Sequence, residues 1–265
     1  MKKSVRYFFA GLPAIIGLLL LYAYIAYPVE YVHRVLRWRD SDVYDYQKFP
    51  ERSLAISDST FEFSLNLDEE HVRTQFEAVT GVGDFDSFLE KNRTQAFIVI
   101  QHDAILYEKY FNGASRNSIV TSFSIAKSFT SALIGIAVSE GYIHSVNDPI
   151  IDYLPELVER DLAFANITIR NLLMMSSGIK YAEFPFVNGD DAKTYYYPNL
   201  RQLVLEDTHI VGLPGEQFHC NNYHPLLLGM IIERATGTSV ANYLQEKIWK
   251  PIGMEYPGSW SLDEN

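Results

Sequence analysis

Apolar residues concentrate in one uncharged segment near the start of the chain. Phe8–Ala26 spans 19 residues without a charge and follows Lys2, Lys3 and Arg6. At about 1.5 Å per residue, such a helix reaches about 28 Å, close to the hydrocarbon thickness of a bilayer. The pattern predicts an N-terminal transmembrane helix over residues 1–27, retained as a signal anchor.

The flanking charges do not fix the orientation of this segment. Three basic residues precede it, and Arg34, Arg37 and Arg39 follow it, so the positive-inside count is a tie. Large domains translocate largely regardless of flanking charge. We therefore expect a single-pass protein of the cell membrane with its main domain on the extracytoplasmic side. A buried core helix is the alternative.

Beyond the anchor, the chain divides into a connector and one domain. Residues 28–84 mix Asp, Ser, Pro and aromatic residues with little sustained periodicity, and we interpret them as a juxtamembrane connector. Residues 85–265 carry clearer patterns and form the predicted domain. It begins with three short elements: a helix at Phe85–Asn92, a strand at Ala96–Gln101 and a strand at Ala104–Phe111.

The next segments follow a helical rather than a strand period. His102 and Asp103 form a turn that closes the two strands into a hairpin. Ser124–Ser139 then has apolar residues at a 3.6-residue spacing. Leu226–Ala235 and Val240–Trp249 indicate two further helices. Strands followed by helices without regular alternation favour an α/β (α+β) fold.

Composition excludes several functions. The chain holds 22 basic and 33 acidic residues, a net charge of −11, which opposes binding to nucleic acid. Its single cysteine, Cys220, excludes an internal disulfide and any multi-cysteine metal site. His219 and His224 lie near Cys220, but no fourth ligand stands at a suitable spacing. No metal and no cofactor are predicted.

The clearest chemical feature is a Ser-x-x-K tetrapeptide, Ser124–Lys127, at the start of the long predicted helix. Residues three apart share a helix face, so Lys127 can reach the Ser124 hydroxyl and accept its proton. A second match, Ser177–Lys180, lies in a loop-like run beside Gly178 and lacks this setting. The tetrapeptide alone also fits a helix cap followed by a solvated lysine.

A family resemblance strengthens the catalytic interpretation. The chain resembles the serine β-lactamase-related hydrolases, a group that includes class C β-lactamases, D-alanyl-D-alanine carboxypeptidases, esterases and 6-aminohexanoate-dimer hydrolases. The resemblance rests on five blocks in order: Thr121–Gly141, Asn147–Leu154, Ile167–Gly178, Pro214–Gly215 and Leu226–Gly237. It implies a sheet flanked by helices with a helical subdomain. It also implies an acyl-enzyme mechanism in which Lys127 activates Ser124 and the acyl group is formed on Ser124.

The second motif of the family departs from its usual form. The resemblance places Asn222 at the substrate-binding asparagine of Tyr-x-Asn, but Cys220 stands at the position of the family tyrosine. A thiol lies several ångströms short of a phenol oxygen and needs a bridging water to reach the same point. Tyr223 is nearby in sequence and offers an alternative phenol.

The third motif of the family, Lys-Thr-Gly or His-x-Gly on a strand that helps form the oxyanion hole, is expected beyond Asn265. The resemblance therefore implies an incomplete domain with its C-terminal strands missing. Our leading hypothesis is a membrane-anchored serine hydrolase that cleaves an amide or ester bond of a small-molecule or peptide substrate. The alternative is an impaired or inactive relative that binds peptidoglycan or a partner protein.

Overall fold

The computed structural model describes residues 2–185 and 188–264, with side chains from residue 13 onward. The chain forms two compact units. The first comprises residues 1–52, 121–247 and 259–265, and the second comprises residues 53–120 and 248–258.

Helices are the commoner elements. The helices are α1 (Lys2–Ala26), α2 (Val29–Trp38), α3 (Glu69–Thr80), α4 (Phe85–Lys91), α5 (Ile125–Ser139), α6 (Glu156–Arg160), α7 (Ile169–Leu173), α8 (Asp190–Tyr196), α9 (Leu200–Asp207), α10 (Tyr223–Thr236) and α11 (Val240–Leu244). The strands are β1 (Glu51–Leu54), β2 (Ser64–Leu65), β3 (Ala96–Gln101), β4 (Ala104–Tyr110) and β5 (Gly258–Ser261). β1 pairs with β5, and the other three strands form a sheet in the order β2-β4-β3.

The second unit is built on the predicted hairpin. β3 and β4 are antiparallel from Ala96 opposite Tyr110 to Gln101 opposite Ala104, with an irregularity between Val99 and Ile100. His102 and Asp103 both have positive φ, 53° and 57°, as a two-residue hairpin turn requires. The predicted strands and turn are therefore confirmed.

An aromatic core covers one side of this hairpin. Phe85 of α4 and Tyr107 of β4 are fully buried, and Phe76 and Phe97 pack beside them. The carboxylate of Asp86 accepts hydrogen bonds from Tyr107, at 2.6 Å, and from Lys109. These contacts hold α4 against the sheet.

The first unit is mainly helical, and its centre is the pairing of α5 with α10. Leu133 and Ile134 of α5 and Ile231 and Ile232 of α10 are fully buried. The predicted helix at Ser124–Ser139 is confirmed. The other two predictions differ at their ends: α10 begins at Tyr223, three residues earlier than predicted, and α11 gives way at Gln245 to a π-helical turn.

The predicted connector contains regular structure. Within residues 28–84 lie α2, β1, β2 and α3. α2 packs on α8 through Tyr31 and Val35, and the Arg34 guanidinium donates to the carbonyls of Tyr196 and Tyr197 at 3.4 and 3.3 Å. These long-range contacts leave no periodic signal in a sequence.

The predicted membrane segment lies in α1, whose side chains before residue 13 are outside the described part. Within the part of the chain that is described, no helix combines the length and hydropathy of a membrane span.

Candidate active site

Ser124 and Lys127 lie together at the start of α5. The Lys127 Nζ donates a hydrogen bond of 2.9 Å to the Ser124 Oγ. Ser124 is the residue before the helix, but its hydroxyl caps no backbone N–H. The geometry thus differs from the helix-cap alternative, because the serine oxygen is paired with the lysine rather than with the helix terminus.

The residue before Ser124 has an unfavourable backbone conformation. Phe123 has a φ of 46°, in the left-handed region that bulky side chains rarely adopt. Two hydrogen bonds tie the preceding segment to residues 43–46: Thr121 N–H to the Val43 carbonyl at 2.8 Å, and Tyr46 N–H to the Thr121 hydroxyl at 2.9 Å. These contacts hold the chain in the conformation that presents Ser124.

Ser124 is accessible to a substrate. Its side chain is exposed, while Lys127 is partly exposed. The apolar side chains of Phe123 and Ile125 flank it and are 40% and 63% exposed. Among the described residues, the Ser124 N–H donates to no protein acceptor, so this backbone group is available to a carbonyl oxygen.

The second-motif residues stand at the start of α10. Asn222 immediately precedes this helix, and its side-chain nitrogen donates to the Tyr181 hydroxyl at 2.8 Å and to Asp191 Oδ1 at 3.0 Å. Cys220, two residues earlier, is exposed. No hydrogen bond within the described ranges joins Asn222 or Cys220 to the Ser124–Lys127 pair.

Tyr223 is engaged elsewhere. Its ring is 2% exposed, and its hydroxyl donates to Asp190 Oδ1 at 2.9 Å. Burial raises the pKa of the Tyr223 phenol, and Asp190 raises it further. Use of Tyr223 in place of the missing tyrosine would require this hydrogen bond to break.

The second Ser-x-x-K match has a different surrounding. Ser177 is buried, and its Oγ lies 2.6 Å from Nε2 of the buried His224. The Ile179 N–H also donates to the Ser177 Oγ at 3.0 Å. Lys180 makes no contact with Ser177 among the described hydrogen bonds, so this tetrapeptide does not form a serine–lysine pair.

Cavities open among the described residues of the first unit. One, of about 350 Å³, is lined by Thr130 of α5, Leu226 of α10 and Trp260 of β5, among others. Another, of about 130 Å³, is lined by Ser177, His224 and Leu213. Within the described residues, no cluster of three or more His, Cys, Asp or Glu side chains is arranged to hold a metal ion.

Comparison with known proteins assigns the family. A family model described as Beta-lactamase matches residues 85–264, more than half of the chain. The chain therefore belongs to the β-lactamase family of serine hydrolases, in agreement with the resemblance seen in its sequence blocks.

Individual relatives share part of their length with this chain. Penicillin-binding protein 4* of Bacillus subtilis (strain 168) is 28% identical over 185 residues, which cover 64% of this chain and 39% of the relative. The 6-aminohexanoate-dimer hydrolase of Paenarthrobacter ureafaciens is 24% identical over 204 residues, which cover 70% of this chain and 49% of the relative. The chain thus spans less than half the length of these two curated relatives.

A solved structure shares the fold. The solved structure comes from a Bacillus anthracis protein that its name places among the 6-aminohexanoate-dimer hydrolases. It superposes on the present chain with a TM-score of 0.74 at 26% sequence identity. The match covers 86% of this chain and 62% of the other. The α/β fold of the β-lactamase and transpeptidase class is therefore confirmed.

Sequence reasoning missed the residues that hold the second motif. Tyr181, Asp190 and Asp191 form hydrogen bonds with Asn222 and Tyr223. They precede these partners by more than 30 residues, and no fixed spacing links them. The sequence signal for these partners was the adjacent acidic pair Asp190 and Asp191, which lies in the first turn of α8.

Proposed function

We propose that this chain carries the acylating half of a serine hydrolase that cleaves an amide or ester bond. Ser124 attacks the substrate carbonyl, and Lys127, as the neutral amine, takes the serine proton and passes it to the leaving group. Water then releases the acyl group and regenerates the serine. The membership of the β-lactamase family supports this chemistry, and the names of the hydrolase relatives favour an amide substrate.

The observation that carries the proposal is the 2.9 Å hydrogen bond between Lys127 Nζ and Ser124 Oγ. Nucleophile and base stand within hydrogen-bonding reach, as proton transfer requires. The positive end of the α5 dipole lies at Ser124 and stabilises negative charge that develops there. Exposed Phe123 and Ile125 beside the nucleophile suit an apolar acyl group.

The test is covalent labelling by an activated ester, read as a mass increase of the intact protein. We expect wild type to be labelled and Ser124→Ala to lose the label. Ser128→Ala is the matched control, because Ser128 is an exposed serine one turn further along the same helix. Equal labelling of wild type and Ser124→Ala would refute the proposal.

Cys220 favours a second candidate function. An exposed thiol at the position of the family tyrosine leaves the second motif without its proton donor. A protein that retains the fold but binds peptidoglycan or a partner without turnover fits this substitution. Retention on purified peptidoglycan, with no acyl product released and no label on Ser124, would favour binding over hydrolysis.

The location at the membrane is also a proposal. Apolar side chains along the described end of α1 are exposed, including Leu18 at 66% and Ile25 at 76%. We infer that α1 anchors the chain in the cell membrane and that the folded part lies on the extracytoplasmic side. Resistance of the chain to alkaline carbonate extraction, lost when residues 1–27 are removed, tests the anchor.

The lone cysteine gives a test of orientation. Cys220 is exposed and is the one cysteine of the chain. A membrane-impermeant maleimide applied to intact cells should label it if the folded part is extracytoplasmic, and Cys220→Ser should remove the label. Labelling that appears only after the cells are lysed would place the folded part inside.

A further inference from the structure

A tight turn at residues 42–48 lies against the segment that leads into α5. The Asp45 N–H donates to the Asp42 carbonyl at 3.1 Å, and the Lys48 N–H donates to the Asp45 carbonyl at 2.9 Å. Both bonds join residues three apart, as in a 3₁₀ turn. The turn therefore has a defined backbone, although it belongs to the predicted connector.

The carboxylate of Asp45 fixes this turn to the body of the first unit. The Asp45 side chain is 1% exposed. It accepts hydrogen bonds from the Asp42 N–H at 3.1 Å, from the Lys48 Nζ at 2.5 Å and from the Tyr195 hydroxyl of α8. A buried carboxylate is costly unless such donors surround it, so these contacts hold the turn and α8 together.

Thr121 joins the turn through two hydrogen bonds of opposite sense. Its N–H donates to the Val43 carbonyl at 2.8 Å, and its Oγ1 accepts from the Tyr46 N–H at 2.9 Å. The first bond holds the backbone and the second holds the side chain, so Thr121 is fixed in position and in direction. The second bond depends on an oxygen that threonine and serine share and valine lacks.

Two residues connect Thr121 to the nucleophile, and both are tied to the first turn of α5. The carbonyls of Ser122 and Phe123 accept hydrogen bonds from N–H groups of α5 at 3.2 and 3.0 Å. Phe123 also has a φ of 46°, an unfavourable value that persists only where the surrounding structure enforces it. Release of Thr121 would let Phe123 relax and would displace Ser124.

We propose that Thr121 is a positioning residue, whose hydroxyl couples the turn at residues 42–48 to Ser124 and holds the nucleophile in its reactive position. The inference rests on the proposed function, since it takes Ser124 as the nucleophile. The effect falls on the chemical step and not on substrate binding, because Thr121 fixes the backbone that carries Ser124. A small displacement of a reacting group costs up to about 10²-fold in rate.

The kinetic test follows acylation by the activated ester as the mass of the intact protein increases with time. We expect Thr121→Val to lower the maximal rate constant of acylation about tenfold and to leave the ester concentration at half-maximal rate unchanged. Thr121→Ser keeps the acceptor oxygen and should acylate at close to the wild-type rate. An unchanged rate constant in Thr121→Val, or a serine variant as slow as the valine variant, would overturn the inference.

A control separates positioning from a general loss of stability. Thr121→Val also loses a hydrogen bond and is less stable, so acylation is measured where urea denaturation shows the proteins to be fully folded. Thr236→Val is the matched variant, because Thr236 Oγ1 accepts from the Thr238 N–H at 3.3 Å at the C-terminal end of α10. It should acylate at the wild-type rate, and slowing equal to that of Thr121→Val would count against the inference.

Tyr195→Phe tests the other end of the coupling. It removes the hydroxyl that donates to Asp45 and should slow acylation as Thr121→Val does. If both act through the turn, the double variant should be no slower than Thr121→Val alone. Tyr153→Phe removes a phenol–carboxylate hydrogen bond outside the turn, from Tyr153 to Asp148 at 3.0 Å, and should leave the rate unchanged. Full multiplication of the two effects in the double variant would overturn the inference.

Hydrogen exchange gives a readout that does not depend on turnover. Peptides that cover residues 43–47 and 121–127 should exchange their amide hydrogens faster in Thr121→Val than in wild type, and at the wild-type rate in Thr236→Val. Unchanged exchange in Thr121→Val would contradict the inference. Wild type that acylates no faster than Ser124→Ala would instead refute the proposed function, and the exchange rates would still decide whether Thr121 holds this segment.

Discussion

The imidazole of His224 accepts a hydrogen bond from Ser177 in the interior of the first unit. The two atoms, His224 Nε2 and Ser177 Oγ, are 2.6 Å apart. Burial lowers the pKa of His224 from 6.5 to about 4, and His219 nearby lowers it further, so the imidazole is neutral at pH 7. Its Nδ1 lies 3.0 Å from the Met175 sulfur, which has no hydrogen to donate, so the ring hydrogen stands on Nδ1 and Nε2 is left to accept from Ser177.

This neutral histidine makes stability depend on pH. The unfolded chain binds a proton at His224 near pH 6.5, whereas the folded chain binds it near pH 4. The unfolded state holds more protons between these values, so stability falls as pH falls. We expect the free energy of unfolding to drop by about 2 kcal/mol from pH 7 to pH 5 through this residue.

Urea denaturation at pH 7 and pH 5 measures the drop, and His224→Gln is the control. Glutamine can accept the Ser177 hydrogen but has no proton to gain in this range. The variant should be less stable than wild type at pH 7 and should lose less stability on going to pH 5. The same drop in both proteins would show that other groups cause it.

Cys220→Tyr should raise turnover if the proposed hydrolase is limited by the missing phenol. A positioned proton donor commonly contributes about 10²- to 10⁴-fold to a rate. We expect an increase of about 10²-fold in kcat with the activated ester. Cys220→Phe supplies the ring without the hydroxyl and should give no gain. Equal rates for the two variants would contradict a role for the phenol in proton transfer.

Gly178→Ala should destabilise the first unit strongly. Gly178 has a φ of +77°, and an added Cβ would lie 2.2 Å from the Gly212 carbonyl oxygen. Gly141 has nearly the same φ, +79°, but open space at the Cβ position. Gly141→Ala should cost about 1–2 kcal/mol from backbone strain alone. Gly178→Ala should cost at least about 2 kcal/mol more, because backbone must move.

Thermal and urea denaturation of the two alanine variants test this difference. Comparable losses in Gly178→Ala and Gly141→Ala would mean that the segments around Gly178 and Gly212 separate readily. In that case the close approach of these two backbones is not needed for stability.

Phe123→Asn should stabilise the chain relative to Phe123→Ala. Asparagine tolerates the left-handed region better than alanine, and Phe123 has a φ of 46°. Both replacements remove the same exposed ring, so the comparison isolates the backbone. We expect a difference of about 0.5–1 kcal/mol in the free energy of unfolding. Equal stabilities would show that the backbone at this position relaxes on substitution.

Local features of the fold could be predicted from the sequence. The β3–β4 hairpin and α5 depend on contacts between near neighbours, so their residue patterns were sufficient. The packing of α2 on α8 could not be predicted. It depends on contacts such as that from Arg34 to the Tyr196 carbonyl, 162 residues away, and nothing in the local pattern selects that partner.

The same distinction applies to the candidate site. Ser124 and Lys127 are three residues apart on one helix, so their contact follows from helix geometry. Asn222 was assigned by resemblance to a family motif, but its partners were not. Tyr181 lies in a loop and Asp191 lies in the first turn of α8, and their contact with Asn222 is set by the packing of the whole unit.

The contacts of Arg34 also bear on the order of folding during synthesis. Its guanidinium donates to the Asp263 carbonyl at 2.8 Å, 229 residues further along the chain. At roughly 5–20 residues per second, the ribosome needs roughly 10–50 s to make that stretch. Throughout this interval α2 has been made but this partner of Arg34 has not. The aromatic residues packed around α2, which extend to Tyr197, are available much earlier, so the cluster can form before the Arg34–Asp263 hydrogen bond closes.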